Sequence, residues 1–335
     1  MDIHLEIDAL LCNQQKLKQL LLLEKERRGV DKDELVFIGM ADTANYYWCA
    51  MKSLFKNKEM EPDFFASYLQ DRVLYSSELG LIDELPSEDE KLLRVGDSIN
   101  FEDIENLLQQ RKREKEESDI TISSILFQDE NGDKVLAISD LELSPFSSDD
   151  LREVKKIAIS DDIKSEEITK MLKLYGGEKA SEIEIVSLEE YPKYRGEILQ
   201  DKRSEKYPTI RWNFEWGDYV VVGVPDGITD SFVYEFKTTR SEFSLYYAKP
   251  VAFTQADLYG YFFRRDMKRV QFYITGTGET KTWEKKVDKE NAEKTLKSFK
   301  KTDKGGEEPI PPKEWKCKFC EFRKECPITP QKQDC

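Results

Sequence analysis

The 335-residue chain is predicted to adopt an α/β fold: a mixed central sheet flanked by helices, with an acidic α+β subdomain inserted and a cysteine-bearing tail. Three observations predict it. After Thr209, short β-branched and aromatic runs bounded by turn residues alternate with helical patterns, as strands joined by helices do. Between residues 78 and 197 stand 16 basic and 32 acidic residues, a net of −16, while the rest of the chain carries +1. Three of the six cysteines fall between residues 317 and 326.

The elements are justified in order. Residues 1–28 read as one amphipathic helix, with Ile7, Leu10, Leu17, Leu20 and Leu21 on a stripe and Gly29 as its stop. A second helix is expected from Asp42 or Thr43 as N-cap, carrying Tyr46, Tyr47, Cys49, Ala50 and Leu54. A third is expected to begin at Pro62, a favourable first helical position, and to run to about Glu78. In the acidic stretch, 101–117 and 163–175 read as helices. Residues 120–127 and 134–140 read as a hairpin around Asn131-Gly132, and 183–188 as a strand. Residues 209–216 and 219–224 read as a second hairpin, and 232–238, 269–275 and 282–287 as strands. Residues 250–263 and 288–300 read as helices. A breaker-rich linker, 305–312, leads to the tail. The expected division is 1–80 helical, 81–195 the acidic insertion, 196–304 the catalytic core and 305–335 the cysteine tail.

Composition excludes several chemistries. Apolar residues make up 39% of the chain, enough for a core, and charged residues 36%, above the usual quarter or so. No apolar run reaches membrane-span length and the acidic N-terminus lacks a signal-peptide pattern, so a soluble, cytoplasmic protein without membrane partners is expected. His4 is the lone histidine and lies near a terminus. A Ser-His-Asp triad, a Cys-His pair and a histidine general base are therefore disfavoured. Catalysis would fall to carboxylates, lysine, tyrosine, cysteine or a metal.

The segment VVGVPDGITDSFVYEFKTTR contains Asp226, Glu235 and Lys237. Glu235 and Lys237 are two apart on a strand and project from one face, while Tyr234 and Phe236 project from the other. Asp226 ends the preceding strand, where a hairpin would bring it beside Glu235. Two carboxylates there suit a hard divalent ion such as Mg²⁺ or Mn²⁺. The lysine would orient water or balance phosphate charge. The plain alternative is an ordinary strand with a solvated face. On the following helix, Gln255 and Tyr259 are four apart and share a face. They would touch a strand or support the site, or simply form a polar rim beside an aromatic core stripe. The tail holds Cys317, Cys320 and Cys326, and Cys49 is the best fourth ligand; Cys12 and Cys335 are weaker. Four thiolates hold either zinc or an iron–sulfur cluster.

At these residues the chain resembles the RecB-like PD-(D/E)XK nucleases with split cysteines: the CRISPR-associated Cas-four exonucleases, the AddB nuclease domain and the nuclease part of the Dna-two helicase. Asp226, Glu235 and Lys237 match the nuclease motif, Gln255 and Tyr259 the family's Q-x3-Y, and Cys49 with Cys317, Cys320 and Cys326 the cluster cysteines. The resemblance covers about 40–80 and 195–330. It implies a PD-(D/E)XK nuclease core, an iron–sulfur C-terminal tail with a 4Fe–4S cluster, and metal-dependent exonuclease activity on single-stranded or end-bearing DNA. A role in CRISPR adaptation or DNA repair would follow. Two departures stand out. The family's metal-binding histidine is missing, with Gln200 near its expected place as a candidate metal ligand and Glu197 one turn earlier. The acidic insertion has no counterpart and is a candidate docking face for a protein partner. The missing histidine leaves open a second reading, a catalytically weak or inactive scaffold that binds DNA or a partner.

Overall fold

The structure, a computed structural model, describes residues 3–31, 34–117, 124–138, 154–159, 183–191, 194, 198, 207–306, 308–318 and 320–328. Gln200, Glu197, Cys335 and the helix expected at 163–175 lie outside them.

The chain opens with α1 (Ile3–Cys12) and α2 (Gln14–Arg28). The single expected helix is split at Asn13, whose side chain accepts a hydrogen bond from the Lys16 amide at 3.0 Å and caps α2. Gly29 ends α2 with φ 68°, a left-handed conformation that costs glycine nothing. Then come β1 (Phe37–Gly39), the short α3 (Met40–Ala44) and a 3-10 turn at Asn45–Tyr47.

The long α4 (Ala50–Glu78) replaces the two helices read from the sequence. Pro62 sits inside it rather than at its start. Burial offsets the lost hydrogen bond: Phe65, Tyr68, Leu69 and Val73 are all packed into the core. Glu61, one residue earlier, accepts from the Val36 and Phe37 amides at 2.9 and 3.3 Å and pairs with Lys25 at 2.8 Å, which fixes the start of β1.

Two further helices, α5 (Asp89–Leu93) and α6 (Phe101–Glu117), follow. Both belong to the main body. Leu92 and Leu93 join the apolar cluster around α2, α4 and β1, while Ile104, Leu107 and Leu108 join the cluster that holds Trp212, Val221, Val233 and Val270. The charge boundary near residue 81 is thus not a packing boundary. The segment with a sheet of its own is narrower: β2 (Ser124–Gln128), β3 (Lys134–Ile138), β4 (Lys156–Ile159) and β5 (Glu184–Ser187). These strands lie in that order, β2 antiparallel to β3 and the rest parallel. Leu136 and Ile138 are buried on one face, Val135 and Ala137 on the other, as parallel strands covered on both sides require.

The remaining elements are β6 (Trp212–Trp216), β7 (Tyr219–Gly223), β8 (Gly227–Ile228), β9 (Phe232–Thr239), α7 (Glu242–Phe262), β10 (Met267–Ile274), β11 (Glu279–Lys286), α8 (Lys289–Asp303) and α9 (Glu314–Lys318). The architecture is mixed α/β, but the expected central sheet is divided. One sheet has the order β1-β7-β6, with β1 parallel and β6 antiparallel to β7. The other has the order β11-β10-β9-β8, with only β9 and β10 parallel. The parallel pair needs a crossover, and α7 supplies it. This helix starts at Glu242, with Ser241 as its cap, and carries Pro250 in its interior, eight residues after its observed start.

One side chain fastens this unit. The buried Asp257 of α7 pairs with Lys268 of β10, accepts from the Asp288 amide at 2.7 Å and accepts from Asn291 Nδ2 at 3.0 Å. Asp257→Ala leaves Lys268 as a buried charge without its partner, which costs about 3–5 kcal/mol. Urea unfolding of the purified variant should show a correspondingly lower midpoint; an unchanged midpoint would show that the network contributes nothing net.

Candidate active site and cysteine cavity

The hairpin β8–β9 builds the site. Gly227 pairs with Tyr234 and Ile228 with Val233, so the next step of the register sets Asp226 opposite Glu235. Asp226 stands just before β8 rather than at the end of β7, and its Oδ2 accepts from the amide of Phe236, the residue after Glu235, at 2.7 Å. Glu235 and Lys237 share a face, with Lys237 Nζ 2.5 Å from Glu235 Oε1. Tyr234 and Phe236 are buried in the packing around the strand.

Glu235 is 0% exposed, and neither of its oxygens has a well-aligned hydrogen-bond donor. Burial pushes its carboxyl up to about 8; Lys237 opposes this and the Asp226 charge adds to it. Burial works against the Lys237 ammonium too, but the Glu235 and Asp226 carboxylates outweigh it and leave its pKa raised. Lys237, its side chain 36% exposed, and the half-buried Asp226 both meet solvent, while Glu235 does not. Once Glu235 is ionised, two carboxylates face one ammonium, a donor set that fits a hard divalent cation.

Gln255 and Tyr259 do lie on one face of α7, joined by a 3.0 Å hydrogen bond from Gln255 Nε2 to the Tyr259 hydroxyl. Both are buried, so neither reaches a strand lying on the surface. Burial, then the Glu235 and Asp226 charges, hold the Tyr259 phenol well above its usual range. That pair therefore backs the site from inside the core.

Asp42 was read from the sequence only as a helix cap. It sits within α3, and its charge also reaches Tyr259. Burial raises its own carboxyl, with Lys56 and Lys52 opposing. No spacing rule marks it, because it comes to the site through the packing of α3 on α7.

The cysteines from the two ends of the chain meet. Cys49, Cys317, Cys320 and Cys326 line one cavity of about 550 Å³, together with Lys237, Trp48 and others. Cys49 is not within a helix, as expected, but is the extended residue (φ −162°, ψ 119°) capping α4. Burial pushes its thiol up, the Lys52 and Met51 amides at the start of α4 oppose this, and Cys326 and Cys320 add to it. Burial and the other three cysteines raise Cys317 in the same way. Cys12 is exposed at the end of α1. Among the described residues, no three histidine, cysteine, aspartate or glutamate side chains converge as ligands of one metal ion would.

Other contacts dock the tail on the start of α4. Lys316 Nζ donates to the Trp48 carbonyl at 2.9 Å and lies 4.0 Å over its ring. Phe55 stacks on Phe322 at 5.4 Å, and Lys52 pairs with Glu321 at 3.4 Å.

No protein-family model matches the chain, and no curated protein matches it. Among solved structures, one described as "Crystal structure of SSO0001" aligns at 16% identity over 68% of this chain and 98% of its own, with a TM-score of 0.32. A likeness of that size carries no argument about function.

Proposed function

We propose that the chain is a divalent-metal-dependent deoxyribonuclease, acting on single-stranded or end-bearing DNA, with a PD-(D/E)XK-type core and a 4Fe–4S cluster on its four cysteines. The observation that carries the reading is Glu235, a fully buried carboxylate without a well-aligned donor, set between Asp226 and Lys237. Burying such a group costs free energy that a bound cation offsets. Asp226 and Glu235 would hold Mg²⁺ or Mn²⁺, which supplies Lewis acidity and a water of lowered pKa. Lys237 would turn its ammonium from Glu235 toward the scissile phosphate and balance the charge that builds there. Tyr259 and Gln255 hold the wall behind the carboxylates in place.

The resemblance in the motifs supports the cluster, as does the arrangement of the cysteines around a cavity. A single zinc ion draws its sulfurs to about 2.3 Å from one point. An iron–sulfur cluster is larger and takes cysteine thiolates around its outside. CRISPR adaptation and DNA repair are the settings that the same resemblance suggests.

The test is incubation with end-labelled single- and double-stranded DNA. Cleavage with Mn²⁺ or Mg²⁺, abolished by EDTA, is the expected result. A chain that binds DNA but never cuts it under any of these conditions would be a scaffold rather than a nuclease.

A further inference from the structure

The start of α7 displays rings that the core does not need. Phe243 and Tyr246 are each 73% exposed, although a helix in this position has an apolar core to join. They flank Tyr247, with ring centroids 5.1 and 5.2 Å away, and Tyr247 in turn meets Trp315 at 5.1 Å. Trp315 meets Trp48 at 5.4 Å. Five rings therefore form one connected cluster, in which Phe243, Tyr246 and, at 39%, Trp315 are exposed to solvent. Isolated exposed aromatics are ordinary; a contiguous group calls for an occupant.

Charge narrows the choice of occupant. Arg240, between β9 and α7, is exposed and makes no ion pair with a described residue. Its backbone is held by the Gly276 amide, which donates to the Arg240 carbonyl at 3.1 Å. Glu242, the acidic residue in the first turn of α7, is engaged by Lys281. Lys237, Thr238, Phe243 and Tyr247 stand on the wall of the cavity that the four cysteines also line. Exposed rings and two cationic residues, Lys237 on the cavity wall and the exposed Arg240, thus lie along the one stretch that runs from β9 into α7.

We propose that Arg240, Phe243 and Tyr246 form a base-stacking platform that leads single-stranded DNA to Lys237. The inference rests on the nuclease reading and specifies where its substrate lies. Stacking on exposed rings needs bases whose faces are free, which a duplex does not offer, while cationic groups track the phosphates. The platform selects single strands before any chemistry occurs.

The experiment measures binding of the full chain to a fluorescent oligo-dT and to a hairpin duplex of equal charge, without added divalent ions, so that nothing is cut. The expected result is a preference of the wild type for oligo-dT. In Phe243→Ala/Tyr246→Ala that affinity falls about 10- to 100-fold, while duplex binding changes less than about twofold. The pair Phe243→Tyr/Tyr246→Phe keeps the rings and should keep the affinity. Binding is read without cutting, so its outcome stands apart from the cleavage assay that tests the nuclease reading. Unchanged oligo-dT binding by the alanine pair, equal losses on both DNAs, or a wild type that binds neither DNA would overturn the proposal.

Discussion

On the proposed nuclease reading, Glu235→Ala and Lys237→Ala are each expected to lower the rate of metal-dependent DNA cleavage by about 10²–10³, the usual consequence of losing a group that stabilises transition-state charge. The structure adds a second expectation for Glu235. Its carboxylate is buried at a cost, so its removal relieves strain rather than creating it, and the melting temperature should hold or rise. Lys237 then loses its partner but is exposed enough to be hydrated. Retained cleavage in both purified variants would dismiss this active site. A large fall in melting temperature for Glu235→Ala would instead mark the ion pair as structural.

Cys49→Ser is expected to reduce both iron content and thermal stability. Cys49 and Cys317 are 268 positions apart, and closing a loop of that length is worth about 5 kcal/mol by (3/2)RT ln n. This rivals the whole stability of many domains, roughly 5–15 kcal/mol. The observed loss should be smaller, because Lys316, Phe322 and Trp315 dock the tail without any metal. Iron and sulfide per chain and the melting temperature should be compared with Cys12→Ser and Cys335→Ser. If Cys49→Ser keeps full iron while either control loses it, Cys49 is not the fourth ligand. Zinc in place of iron throughout would reject the cluster and retain the clasp.

The strand and turn chemistry around the site was legible in the sequence, and long-range assembly was not. The period of two in Tyr234-Glu235-Phe236-Lys237 sets the facing of each side chain; the register that brings Asp226 opposite Glu235 is set by the turn at 229–231, whereas the sequence placed the turn at Gly227, which lies in β8. Both are local facts. The proline rule misled twice for one reason. Pro62 and Pro250 were read as helix starts, yet each lies inside a helix whose buried faces offset the missing hydrogen bond. Net charge misplaced α5 and α6 in the insertion, because their acidic outer faces outnumber the few leucines and isoleucines that anchor them. Asp42 could not have been found, since its place depends on α3 packing against α7.

The joining of both chain ends at one cavity also has a consequence for synthesis. Cys326 is made 277 residues after Cys49, which at about 5–20 residues per second is roughly 14–55 s. Throughout that interval the Cys49 thiol lacks the complete set of partners, while Asp226 and Glu235 are made at least 91 residues before Cys326. A chain that stops short of the tail would therefore carry every candidate catalytic group and yet lack the complete thiol set, so the proposed cluster would have to wait for the tail.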